Sequence, residues 1–136
     1  LDIYNIEFVS PTTGWAFINY TPYAGGSIFK TTDGGTSWTQ QGSNISYAIM
    51  SADIIDANIG YVTLNASNQP IYKTTNGGNT WFSVSTPLTG IIKSVKAIDA
   101  NTLYVGASSG ATRMVKSTNG GTNWTPITLP VSVDIQ

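Results

Sequence analysis

Along the chain, Val, Ile, Phe, Tyr and Trp gather in short runs that Gly, Pro, Asn and Asp interrupt every eight to twelve residues. Runs of that length, bounded by turn formers, predict short β-strands, and no window carries the 3.6-residue apolar stripe of a helix. The first third reads as four strands, at 6–9, 15–19, 27–31 and 37–40. The segments "SPTTG", "DANIG" and "DANT" are turns between first and second strands, and glycine-rich segments join the third strands to the fourth.

This pattern occurs three times. "KTTDGGTSW" at 30–38 returns as "KTTNGGNTW" at 73–81 and "KSTNGGTNW" at 116–124, so the lysines Lys30, Lys73 and Lys116 lie 43 residues apart. The flanks share the register: Trp15, Tyr61 and Tyr104 are equivalent, with three extra residues in "YTPYAGGS" of the first repeat. Four short antiparallel strands in about 43 residues make one blade of a β-propeller. The expected fold is therefore all-β, a single three-blade propeller segment over 1–136, with blades near 1–43, 44–89 and 90–132 and with 133–136 in the register that opens a next unit.

The three glycine-rich phrases resemble Asp-boxes, the Ser/Thr-x-Asp-x-Gly-x-x-Trp signature of BNR repeats. The arrangement "GWAFI…KTTDGGTSW" is most similar to the photosystem II assembly factor-like repeat, which also occurs in uncharacterised secreted bacterial proteins. The resemblance covers nearly the whole chain and implies the propeller fold, whereas this repeat is a building part rather than an active site. Sialidase propellers share the repeat, but their arginine triad has no counterpart here, where Arg113 is the one arginine.

The chemistry of the box points the same way. Thr32 and Asp33 carry oxygens that can cap nearby backbone N–H groups, Gly34 and Gly35 supply angles closed to other residues, and Trp38 is expected to drop from the fourth strand between sheets. The same roles fall on Thr75, Asn76, Gly78 and Trp81, and on Thr118, Asn119, Gly121 and Trp124. Asparagine replaces the acid in two copies; an amide still accepts a turn hydrogen bond but is neither a carboxylate nucleophile nor a strong metal ligand. Turn geometry therefore explains the boxes better than catalysis or calcium.

Composition narrows the function further. Charged residues are 10% of the chain and the formal net charge is -1, so no basic face is available for nucleic acid. With neither Cys nor His, the usual zinc sites, thiol nucleophiles and the commonest general base are absent, and no metal or cofactor is expected. No run is long and apolar enough to span a membrane. Glycosidases use two carboxyls about 5–10 Å apart, yet Asp56 and Asp99 sit in equivalent turns and read as turn formers. Glu7, Asp53 and Lys96 are equivalent first-strand positions, expected to line a solvated central channel. No catalytic residue is assigned.

What remains is a loop surface. Tyr20, Tyr23 and Tyr47, beside Asn68 and Gln69, offer stacking area with polar tips and are the candidate binding residues. The Thr, Ser, Asn and Gly bias suits a secreted or cell-surface β-protein, and the resemblance to the repeat of uncharacterised secreted bacterial proteins implies a bacterial envelope. The expected function is a non-enzymatic interaction or scaffold module, part of a larger propeller or surface assembly; a carbohydrate-binding lectin-like propeller and a fragment of an Asp-box glycoside hydrolase remain as alternatives. Expected partners are other protein chains or further blades, with glycans as a second class. Three blades span only part of a ring, so the sequence reads as a piece of a longer propeller or as a chain that closes a ring with copies of itself, two copies making six blades.

Overall fold

The structure is a computed structural model and describes residues 1–20 and 25–130. Among them are three four-stranded antiparallel sheets and no helix. The first blade is β1 (Asp2–Phe8), β2 (Gly14–Asn19), β3 (Gly26–Thr31) and β4 (Thr39–Gln40). The second is β5 (Ile49–Ile54), β6 (Gly60–Leu64), β7 (Ile71–Thr74) and β8 (Phe82–Val84); the third is β9 (Ile92–Ala97), β10 (Leu103–Ala107), β11 (Met114–Ser117) and β12 (Thr125–Pro126). Each sheet is a meander whose strands pair in chain order. This is the architecture of an incomplete propeller. The segment 133–136, expected to open a next unit, lies outside the described residues.

Two differences from the expected strands have physical causes. The first strands are longer, because each continues past a bulge: Tyr4, Met50 and Lys93 are the extra residues opposite β2, β6 and β10, at equivalent positions in all three blades. A bulge adds twist, and its repetition gives each inner strand the same curl. The fourth strands are shorter, and Trp38 precedes β4 rather than belonging to it. The reason lies in the box: the N–H of Ser37 donates to Asp33 Oδ1 at 2.9 Å, so the backbone there serves the turn instead of the ladder.

The core lies between blades. Trp15, Phe17, Ile28, Ile49, Ile54, Val62 and Leu64 close the junction of the first two sheets, while Tyr61, Ile71, Ile92, Val95, Leu103 and Val115 belong to the cluster that joins the second to the third. All of β6 is buried, because the middle blade is covered on both faces. Each such fully buried large side chain contributes about 1.5–3 kcal/mol relative to exposure.

Polar groups stitch the same junctions. Trp15 Nε1 donates to the carbonyl of Gly77 at 3.0 Å, and Tyr4 Oη donates to the carbonyl of Met50. Lys30 lies over the Trp15 ring, Lys73 over Tyr61 and Lys116 over Tyr104, with Nζ 4.9–5.4 Å from the ring centroids. The box lysine is thus a cation–π partner of the aromatic on the neighbouring strand. Glu7 and Asp53 do not stand as a solvated channel wall. Glu7 Oε2 accepts the N–H of Ile54 at 2.8 Å, and Asp53 Oδ2 accepts that of Ala97 at 2.7 Å, each reaching into the next blade. Lys96, the third of the set, turns back to Asp53 at 3.6 Å.

Candidate functional site

The boxes explain why a cleft forms where it does. The hydroxyl that closes each turn comes from the last residue of the third strand: Thr31, Thr74 and Ser117 accept the N–H of Gly35, Gly78 and Gly121 at 2.8–2.9 Å and donate to Asp33, Asn76 and Asn119. Thr32, Thr75 and Thr118, expected in that role, are exposed instead. Asn76 and Asn119 accept the N–H of Thr80 and Asn123 just as Asp33 accepts that of Ser37. The side-chain hydroxyl and N–H of Ser37 hold the Asp33 carboxyl down at about 2, whereas Asn needs no charge for the same geometry.

Having closed their turns, the second and third boxes deliver their tryptophans toward the preceding blade, whereas Trp38 rests edge-on against Phe8 of its own blade. Trp124 packs on the cluster between the second and third sheets and donates Nε1–H to the carbonyl of Ser85 at 2.8 Å. Trp81 packs on the cluster between the first and second. Its Nε1–H is buried without a partner, as is Gln41 Oε1. Both residues line a cleft of about 390 Å³ between the first two blades. Ile28, Val62 and Leu64 supply its apolar wall, Tyr72 adds a half-buried ring, and Tyr47 stands exposed at the rim. Ser43, Asn44 and Ser46 line the polar side, and a concave cleft that joins an apolar wall to a few polar groups is the usual form of a binding site. Among the described residues no group of acids could hold a metal ion.

The other candidate residues do not share this cleft. Tyr20 Oη is 2.6 Å from Ser27 Oγ, which donates to Asn44 Oδ1, so its polar tip is occupied inside a network. Asn68, held at φ 59°, and Gln69 line a separate groove of about 130 Å³ with Pro70, Ser85, Thr86 and Leu88. Tyr23 lies outside the described residues. Of the four that are described, the structure brings only Tyr47 to the main cleft. Gln41, Tyr72 and Trp81 were not foreseen there; the box position of Trp81 signalled an interior anchor, not that its N–H would lack a partner.

Asp56 and Asp99 are turn formers: Asp56 Oδ1 accepts the N–H of Asn58 and Ile59, and Asp99 Oδ1 those of Asn101 and Thr102, all at 2.8 Å. Those backbone donors hold the Asp99 carboxyl below its ordinary range. Glu7 is pushed up by burial, against the N–H of Ile54 that favours its charge.

The family model described as photosynthesis system II assembly factor YCF48 matches residues 2–131. Among solved structures, YCF48 bound to a D1 peptide is similar with a TM-score of 0.72 at 21% identity, over 91% of this chain and 39% of that one. YCF48 from Cyanidioschyzon merolae gives 0.70 at 23% identity over 91% and 36%. A GH74 enzyme from Niastella koreensis gives 0.67 at 23% identity over 86% and 21%. The chain therefore spans well under half the length of these structures, and at such identities the likeness is one of fold. No curated protein matches the chain significantly.

The family match overturns the expected secreted, bacterial-envelope location, since the family is described by photosystem assembly and not by the cell surface. The composition misled for a physical reason. Its Ser, Thr, Asn and Gly serve the hairpin turns of the repeat, a requirement that is the same in any aqueous compartment.

Proposed function

We propose, from the premise that this chain belongs to the photosystem II assembly factor YCF48 family, that it is a protein-binding propeller module acting by recognition rather than catalysis, and that the cleft between its first two blades receives an extended peptide. Its blades join near 43–44 and 89–90, and the cleft follows the first of these joints. The observation that carries the reading is the cleft of about 390 Å³ itself, in which the apolar wall of Ile28, Val62 and Leu64 stands opposite the polar side chains of Ser43, Asn44 and Ser46. A peptide backbone can hydrogen-bond to the polar side of that cleft while the peptide's side chains cover Val62, Leu64 and Tyr72. That one relative was solved with a D1 peptide makes peptide the first ligand class to try.

The test is an NMR titration of the chain with a D1-derived peptide, with a soluble oligosaccharide in parallel. The expected result is a shift of the Trp81 indole resonance and of Tyr47 with the peptide, and weaker binding by Tyr47→Ala. A folded chain whose cleft resonances ignore the peptide at millimolar concentration, or respond to the sugar alone, refutes the reading; the second result would favour a lectin-like module.

A further inference from the structure

Two of the three boxes carry the dipeptide Asn-Gly, at Asn76-Gly77 and Asn119-Gly120, where the first carries Asp33-Gly34. A glycine after asparagine has no side chain to hinder attack of its amide nitrogen on the asparagine Cγ, so in an unfolded chain this dipeptide loses ammonia readily. In the folded boxes every atom of that reaction is held elsewhere. The N–H of Gly77 donates to the carbonyl of Asn58, and that of Gly120 to the carbonyl of Asn101, both at 2.9 Å. Asn76 Oδ1 accepts the N–H of Thr80 and the hydroxyl of Thr74, each at 3.0 Å. Asn119 Oδ1 accepts the N–H of Asn123 at 2.8 Å and the hydroxyl of Ser117 at 3.0 Å. Each Nδ2–H donates as well, to Thr80 Oγ1 at 2.8 Å and to Asn123 Oδ1 at 2.9 Å. Both asparagines are exposed to water, so hydrogen bonding rather than burial withholds them.

We propose that Asn76 and Asn119 are deamidation sites that open only when their hairpins come apart, and that the fold takes back the aspartyl product while rejecting the isoaspartyl one. In the first step the Gly77 nitrogen bonds to Asn76 Cγ, the Cγ–Nδ2 bond breaks, and ammonia leaves with the proton that the glycine nitrogen gives up. Water then opens the cyclic imide. Breaking the new N–Cγ bond leaves aspartate, and breaking the bond to the backbone carbonyl leaves isoaspartate; Asn119 and Gly120 follow the same course. The first box shows that an aspartyl turn is complete: Asp33 Oδ1 accepts the N–H of Ser37 at 2.9 Å and Oδ2 accepts its hydroxyl at 2.6 Å. An acid at 76 can take the hydroxyl of Thr80 in the same way, and an acid at 119 the amide of Asn123, turned over so that Nδ2 donates. An isoaspartyl link instead adds a methylene to the backbone. It displaces Gly77 or Gly120 from its left-handed position, φ 73° or 69°, and takes its N–H from the carbonyl that it serves. Unfolding therefore leaves a permanent mark in these two turns.

The 136-residue chain, incubated at mildly alkaline pH both folded in buffer and unfolded in guanidinium chloride, tests this by peptide mapping, which reads the amide-to-acid mass gain at each position. Loss of amide at Asn76 and Asn119 is expected to be at least about tenfold slower in the folded chain, because the reaction waits on local opening. After removal of denaturant, the refolded fraction should carry aspartate at these positions and be depleted in isoaspartate, which an isoaspartyl methyltransferase labels. Asn76→Asp should keep the circular dichroism of the wild type and a thermal midpoint close to it near neutral pH. Equal rates with and without denaturant, isoaspartyl chains that refold as readily as aspartyl ones, or an Asn76→Asp chain that does not fold overturns the proposal. None of these readouts depends on peptide binding in the cleft.

Discussion

Asp53 Oδ2 accepts the backbone N–H of Ala97 across the junction of two blades at 2.7 Å, and Glu7 repeats the contact to Ile54 one blade earlier. An inner strand pairs on one side only, so its other N–H groups need partners from elsewhere. A carboxylate of the preceding blade supplies one, fixing the radial register of neighbouring sheets.

Removing that acceptor should cost what an orphaned, buried N–H costs. Asp53→Ala is expected to lower unfolding stability by about 1–3 kcal/mol, and Asp53→Asn, whose amide oxygen can still accept, by less. Urea unfolding monitored by tryptophan fluorescence measures both. Equal losses in the two variants would show that charge, not hydrogen bonding, matters at this junction.

The Asp33 carboxyl, held at about 2 against an ordinary 3.8, makes the first blade acid-sensitive. The unfolded chain binds this proton more readily than the folded one, so stability rises with pH across that window. The contribution is fully present above pH 3.8 and is lost as pH falls toward 2. The stability difference between wild type and Asp33→Asn should be flat above about pH 5 and should shift toward the variant below about pH 4. A Asp33 carboxyl titration by NMR with a midpoint near 4 would contradict it.

Gly77 and Gly120 hold equivalent left-handed positions, φ 73° and 69°, but a Cβ at Gly77 would lie 2.8 Å from the carbonyl oxygen of Ala57, against 3.7 Å from that of Ala100 at Gly120. Both alanine variants incur the left-handed cost of about 1–2 kcal/mol. Gly77→Ala should lose more, because the backbone it meets cannot turn aside. Thermal unfolding of the pair gives the order, and a less stable Gly120→Ala would refute the packing account.

Trp81 and Trp124 occupy the same box position with opposite hydrogen-bond status. Replacing Trp124 by Phe removes its bond to Ser85 and should cost about 1 kcal/mol beyond lost packing. Trp81→Phe removes an N–H that has no partner, so it should be the milder change. Comparing the two denaturation midpoints decides it; equal losses would mean that the indole of Trp81 is satisfied in solution.

Much of the architecture was legible in residue order alone. The 43-residue spacing of Lys30, Lys73 and Lys116 counts the blades, and the glycine pairs mark the hairpins, because turn chemistry is local and survives without knowledge of neighbours. The turn hydroxyl was placed one residue late, at Thr32 rather than Thr31, since both side chains are threonine and only their burial separates them. The binding surface was harder to see. Tyr20 and Tyr47 look alike in a loop, yet one bonds inward to Ser27 and the other stands at the cleft.

The order of residues by itself determined the repeat, the four-stranded blades, the chemistry of the turns and the want of a basic or thiol-bearing site. Tertiary structure decided what the repeats become relative to one another. Trp38, Trp81 and Trp124 are the same letter in the same phrase, but one rests against Phe8 of its own blade, one walls a cleft with an unpaired N–H, and one is bonded across a junction. Local sequence is equal at the three places; the surface of the preceding blade is not, and burial and hydrogen bonding are properties of both partners.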